Sequence, residues 1–125
     1  MNNSSFIEFL VEYDLSLPFE FNYKYRDGDV AIMNVYTVNG YTPDISHLTD
    51  FINEVSNDRN YNIMIDNSEL EIICNENTAK NIIRTQNNLF KRTAIIENDE
   101  DFMNCLEIER YNEEQIERIE NDFSY

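Results

Sequence analysis

Apolar residues along this chain recur with two different periods, and the switches between them mark out its elements. Over residues 4–14, Phe6, Phe9, Leu10 and Tyr13 stand three or four apart, which predicts a helix, and Ser5 followed by Glu8 offers a capping box at its start. After Pro18 the period drops to two, so that Phe19, Phe21, Tyr23 and Tyr25 are expected on one face of a strand. Asp27-Gly28 suits a two-residue hairpin turn. That turn sets Tyr25 opposite Val30, Tyr23 opposite Ile32 and Phe19 opposite Tyr36, an aromatic and aliphatic layer on one side. It also leaves Ala31, Met33 and Val35 on the far face, an apolar patch suited to self-association.

Asn39-Gly40 and Pro43 interrupt this pattern, and Asp44 can cap a helix over 45–57 with Ile45, Leu48, Phe51, Ile52 and Val55 inward. A second hairpin follows, with Asn67-Ser68 at its turn, Ile65 opposite Leu70 and Ile63 opposite Ile72. Residues 77–91 read as a helix burying Ile82, Ile83, Leu89 and Phe90, and 93–96 as a short strand. The last 25 residues form one helix or a broken pair, with Phe102, Cys105, Leu106, Ile116, Ile119 and Phe123 as a narrow apolar stripe. The expected class is α+β: an antiparallel sheet built from two β-hairpins (about 18–38 and 60–74), helices packed on one face, and an acidic C-terminal helical segment.

Length changes this picture little. A chain of 125 residues is expected to be one domain, 1–125, with a core that needs no staples. Cys74 and Cys105 lie far apart on apolar faces and read as buried free thiols rather than a disulfide framework. No apolar run approaches the ~20 residues that span a bilayer, and the first residues lack the features of a signal peptide, so a cytoplasmic location is expected.

Charge changes it a great deal. The formal net charge is −16, with 25 Asp and Glu against 9 Lys and Arg. The 19 Asn and 15 Ile suggest an AT-rich coding sequence, which should also enrich Lys, yet there are only three. Residues 1–29 carry −4, residues 30–75 carry −6, residues 76–96 carry +3 and residues 97–125 carry −9. Such a charge steers a chain toward basic partners and disfavours direct binding to nucleic acid or to an anionic membrane.

Catalytic patterns are scarce, and an enzyme is not expected. His47 is the only histidine and has no Ser or Cys nucleophile in an identifiable relation to it. Two glycines cannot supply a phosphate-binding loop, and two Cys with one His cannot make a zinc motif. The acids of 66–71 and 98–102 lack the Gly and the final Glu of an EF-hand loop, so no metal or cofactor is expected. Asp99, Glu100 and Asp101 suit the positive end of a helix dipole.

One constellation stands out. Glu109, Glu113, Glu117 and Glu120 recur at i, i+4, i+8 and i+11 on one helix face, with Glu114 beside them. Like charges at this spacing disfavour a helix by a few tenths of a kcal/mol per pair. Asp44, Asp50, Glu54 and Asp58 make a second acidic line. The bland reading is a solvated outer face, or one docked on the basic island Lys80, Arg84, Lys91 and Arg92. The global acid excess favours another: a small inhibitor that enters the basic cleft of a nuclease or other nucleic-acid enzyme by imitating its phosphate backbone. In size, charge and lack of catalytic motif the chain is similar to phage and mobile-element proteins of the anti-CRISPR and anti-restriction type, a likeness of kind without a shared motif. An immunity protein or antitoxin against a basic nuclease toxin is the alternative. A non-catalytic structural domain, self-associating as a homo-oligomer, is a third.

Overall fold

The Ser5 hydroxyl accepts a hydrogen bond from the Glu8 amide at 2.9 Å, so the expected cap starts α1 (Phe6–Glu12). A computed structural model describes residues 5–38, 45–56, 60–66 and 69–124. The remaining elements in chain order are β1 (Phe19–Asp27), β2 (Val30–Thr37), α2 (Ile45–Val55), β3 (Asn62–Asp66), β4 (Glu69–Cys74), α3 (Glu76–Thr93) and α4 (Asp99–Asp122). The four strands form one antiparallel sheet in the order β1-β2-β4-β3. This is the expected α+β arrangement of two hairpins. No described helix is long and apolar enough to cross a membrane.

The second hairpin has the expected register, Ile65 with Leu70 and Ile63 with Ile72, although its turn and Asp44 lie outside the described residues. The first hairpin corrects the expected one. Its two-residue loop is Gly28-Asp29, because Gly28, at φ 61°, occupies the position where a II′ turn needs a positive φ. Asp27 therefore pairs with Val30 and Tyr25 with Ile32. A bulge between Tyr23 and Tyr25 then adds one residue to β1, so that Tyr23 pairs with Met33 and Phe19 with Thr37.

One inserted residue inverts the side-chain alternation. Phe19, Phe21 and Tyr23 point inward, while Tyr25 turns outward and is exposed. On β2 the inward set becomes Ala31, Met33 and Val35, all buried. The apolar patch expected on the far face is thus part of the core and is not a surface for self-association.

That core joins these residues to Leu10 of α1, Leu48, Phe51 and Ile52 of α2, Ile72 and Cys74 of β4, and Ala79, Ile82, Ile83 and Leu89 of α3. Phe51 stacks on Phe21 with ring centroids 5.2 Å apart. Each such fully buried ring contributes roughly 1.5–3 kcal/mol. Residues 94–97 form no strand: they link α3 to α4, and Ile95 and Ile96 are exposed. Neither Cys74 nor Cys105 is in a disulfide; Cys74 is buried as expected, whereas Cys105 is only half-buried.

Candidate functional site

The acidic segment folds as a single helix of 24 residues, about 36 Å long at 1.5 Å per residue. Asn98 caps it, its side-chain oxygen accepting from the Asp101 amide at 2.9 Å, and Asp99, Glu100 and Asp101 fill the first turn beside the positive end of the dipole. Asp101 also accepts from the Glu97 amide at 3.1 Å.

Two neighbours hold α4 in place. On one side it runs antiparallel to α3, with Lys91 reaching Glu109 at 3.1 Å and Lys80 reaching Glu120 at 3.6 Å. Lys80 also pairs with Glu76 at 3.3 Å. On the other side α4 lies along β1, the edge strand of the sheet, and the contact is made by amides. The Gln86 side chain of α3 accepts from the Phe21 N–H at 2.6 Å and donates to the Phe21 carbonyl at 3.1 Å. Gln115 accepts from the Tyr23 N–H at 2.8 Å. Both amide nitrogens donate to the Asn112 Oδ1, at 3.1 and 3.2 Å. Three buried amides thus occupy the place of a fifth strand and satisfy an edge that would otherwise be bare.

The lower end of the helix is tied to the same strand. Tyr23 donates its hydroxyl to Asp122 at 2.6 Å, and Arg118 lies over the Tyr23 ring at 5.3 Å. Burial first, and then the Asp122 carboxylate, push the Tyr23 phenol far above its ordinary pKa. Arg118 donates to the Lys24 carbonyl, and Arg26 to the Asp122 carbonyl at 2.8 Å. Lys24 pairs with Glu71 at 2.7 Å, and the hydrogen bond to that carboxylate raises the Lys24 pKa.

These contacts divide the acidic ladder. Glu109 and Glu120 face α3 and are paired, as docking on the basic island requires. Glu113, Glu114 and Glu117 are exposed and make no ion pair among the described residues. Asp99 and Glu100 are exposed at the head of the same helix. Of the second acidic line, Asp50 and Glu54 lie in the described residues. Asp50 is exposed, but Glu54 accepts from the amides of Phe6 at 2.9 Å and Ile7 at 3.2 Å, capping α1. Asp44 and Asp58 lie outside the described residues.

The apolar stripe of α4 is half realised. Ile116, Ile119 and Phe123 pack inward, whereas Phe102 and Leu106 are exposed together with Met103. Beside this half, a cleft of about 500 Å³ opens between α3, α4 and the start of β1, lined by Phe19, Phe90, Ile108 and Tyr111 with Glu20 and Glu107. Glu107 was not among the expected site residues, although it stands seven residues before Glu114 on the same side of the helix. His47 stacks on Phe6 at 5.1 Å, away from this cleft. Among the described residues, no three or more His, Cys, Asp or Glu are grouped to hold a metal ion.

No protein-family model, no curated protein and no solved structure matches this chain.

Proposed function

We propose that this protein is a non-catalytic inhibitor that occupies the basic nucleic-acid-binding cleft of a nuclease or related enzyme, its carboxylates standing in for phosphates. The observation that carries the reading is the outer side of α4. Glu113, Glu114 and Glu117 project from one rigid helix and make no ion pair among the described residues, with Arg110 the one basic side chain a turn before them, in a chain of net charge −16. A groove lined with Lys and Arg gains attraction from such a row and releases the anions that neutralised it. Asp99 and Glu100 extend the row to the helix N-terminus.

The test uses these residues because none of them holds the fold together. Changing Glu113, Glu114 and Glu117 together to Lys reverses the row without touching the Lys80 and Lys91 pairs; a Lys at Glu120 would face Lys80 instead. The wild-type protein, immobilised, is expected to capture a nucleic-acid enzyme from a lysate and release it to moderate salt or to added DNA or RNA. The triple variant keeps its melting temperature and captures nothing. An unchanged affinity in the variant removes α4 from the interface, and a capture indifferent to salt and nucleic acid removes the mimicry.

A further inference from the structure

The two edges of the sheet are treated differently. The β1 edge is closed by the chain's own amides, Gln86 on Phe21 and Gln115 on Tyr23. Among the described residues, the opposite edge, β3, has no such cover. Backbone groups alternate between the two sides of a strand, so the register fixes which residues point outward. In the β3–β4 hairpin, Asn62 and Met64 bond to Ile73 and Glu71 of β4, which leaves the N–H and C=O of Ile63 and Ile65 directed out of the sheet. Counting the same alternation back through β4 and β2 to β1 directs Phe21 and Tyr23 outward at the far edge, where the glutamines meet them. Among the described residues, none hydrogen-bonds to Ile63 or Ile65 across the β3 edge.

The guards on this edge are slight: β3 is short and ends in Asp66, but it carries no Lys, no Pro and no bulge, and two of its apolar side chains are open, Ile65 at 72% exposed and Met64 at 47%. We propose that β3 is a self-pairing surface, on which a second copy of this chain adds its own β3 antiparallel to extend the four-stranded sheet to eight strands.

The charge pattern of the edge suits a second copy: pairing antiparallel about Met64 sets Asp66 of each copy opposite Asn62 of the other, so the one acid of the strand meets a neutral amide residue. Ile63 and Ile65 flank Met64 symmetrically, so a two-fold axis through Met64 sets Ile63 of one copy opposite Ile65 of the other, twice. Each of those pairs exchanges two backbone hydrogen bonds. On the core side, Ile63 meets the other copy's Ile65 and continues the apolar layer of the sheet; on the far side, Met64 meets Met64. The register sets no acid opposite an acid. Five residues per strand make a small interface, so the dimer forms at high protein concentration and dissolves on dilution.

Salt then distinguishes this surface from the acidic helix. Two chains of −16 repel, and screening that repulsion strengthens self-pairing, the opposite of what screening does to a contact with a basic partner. Sedimentation of the full chain at rising concentration is expected to show the 14.9 kDa monomer giving way to a species of twice that mass, and more of it in high salt. Hydrogen exchange should slow at the amides of Ile63 and Ile65 under those conditions. Ile65→Lys is expected to lower the association constant about tenfold or more while leaving the melting temperature near wild type. Ile63→Pro, whose lost N–H serves no bond among the described residues, is expected to lower the association constant likewise, with some fall in melting temperature because the Ile63 side chain packs against the core. A protein that stays monomeric at every concentration and salt overturns the proposal. So does a dimer that Ile65→Lys leaves intact, or protection of Ile63 and Ile65 that appears only when another protein is added.

Discussion

Replacing Gln86 tests whether amide side chains can substitute for a strand. Gln86 is buried between α3, α4 and β1 and makes three hydrogen bonds, two of them to the Phe21 backbone. Truncation to Ala orphans the Phe21 N–H and C=O together, at about 1–3 kcal/mol for each buried group. The cleft that Gln86 lines lets water reach part of the gap and recover some of this. The expected loss is therefore about 3–4 kcal/mol, with about 1 of it from lost side-chain packing. Leu is the discriminating variant, since it restores most of the volume and none of the hydrogen bonds. It should recover only that packing share and stay about 2–3 kcal/mol below wild type. Urea unfolding followed by circular dichroism gives both values, provided the slope with denaturant is unchanged.

The neighbouring glutamine supplies an internal scale. Gln115→Leu orphans the single Tyr23 N–H and should cost about 1–2 kcal/mol. The double variant should be non-additive, because both glutamines donate to the Asn112 Oδ1. A Gln86→Leu protein within about 0.5 kcal/mol of wild type would refute the reasoning, since a neutral change at surface level means the edge never depended on that amide.

Two further outcomes follow from single contacts. Glu54→Ala should destabilise by about 1 kcal/mol, because it removes both the acceptor and the charge at the start of α1; Glu54→Gln should lose less, and faster hydrogen exchange at Phe6 and Ile7 locates the effect. Tyr23 makes stability depend on pH on the alkaline side. Its phenol titrates higher folded than unfolded, so its contribution is complete below the ordinary value of about 10 and is lost as pH rises through the folded value. Tyr23→Phe should cost about 1 kcal/mol at neutral pH through the lost bond to Asp122, and should fall less steeply with pH above 10 than wild type. Parallel slopes for the two proteins would show that the phenol is not responsible.

Much of the fold was legible because it depends on local periods and caps. Ser5, the 3.6-residue stripes of α2 and α3, and the alternation in the second hairpin each act within a few residues. The first hairpin was misread for an equally local reason. Asp27-Gly28 and Gly28-Asp29 are both acceptable turns, and the choice between them falls to the bulge at Lys24, which carries no sequence mark of its own. The expected short strand at 93–96 failed because Thr, Ala and Ile favour a strand only where a neighbouring strand is available to pair.

The edge closure was present in the sequence but easily passed over. Asn112, Gln115 and Ile119 stand at i, i+3 and i+7, the spacing of a buried helix face, and two of the three are amides. A polar residue on such a face is informative, since burying it is costly unless something definite is bonded to it. Here the bonded group is backbone from 92 residues earlier in the chain, a pairing that no local pattern announces.

The use made of the basic residues connects stability with the proposed function. Lys24, Lys80 and Lys91 pair with acids of the chain itself, and Arg26 and Arg118 are bound to backbone carbonyls and aromatic rings. All three lysines, and two arginines besides, are thus turned to internal contacts. These five cations are committed to contacts within the fold, and Glu113, Glu114 and Glu117, outside those contacts, face solvent with no ion pair among the described residues. Exposed pairs of this kind stabilise by less than about 1 kcal/mol each. Their larger consequence is directional: they fix α4 with Glu109 and Glu120 turned in and Glu113, Glu114 and Glu117 turned out. A helix free to roll would present an average of its charges, whereas one keyed on both sides presents a single fixed row, which is what a fixed row of Lys and Arg can recognise.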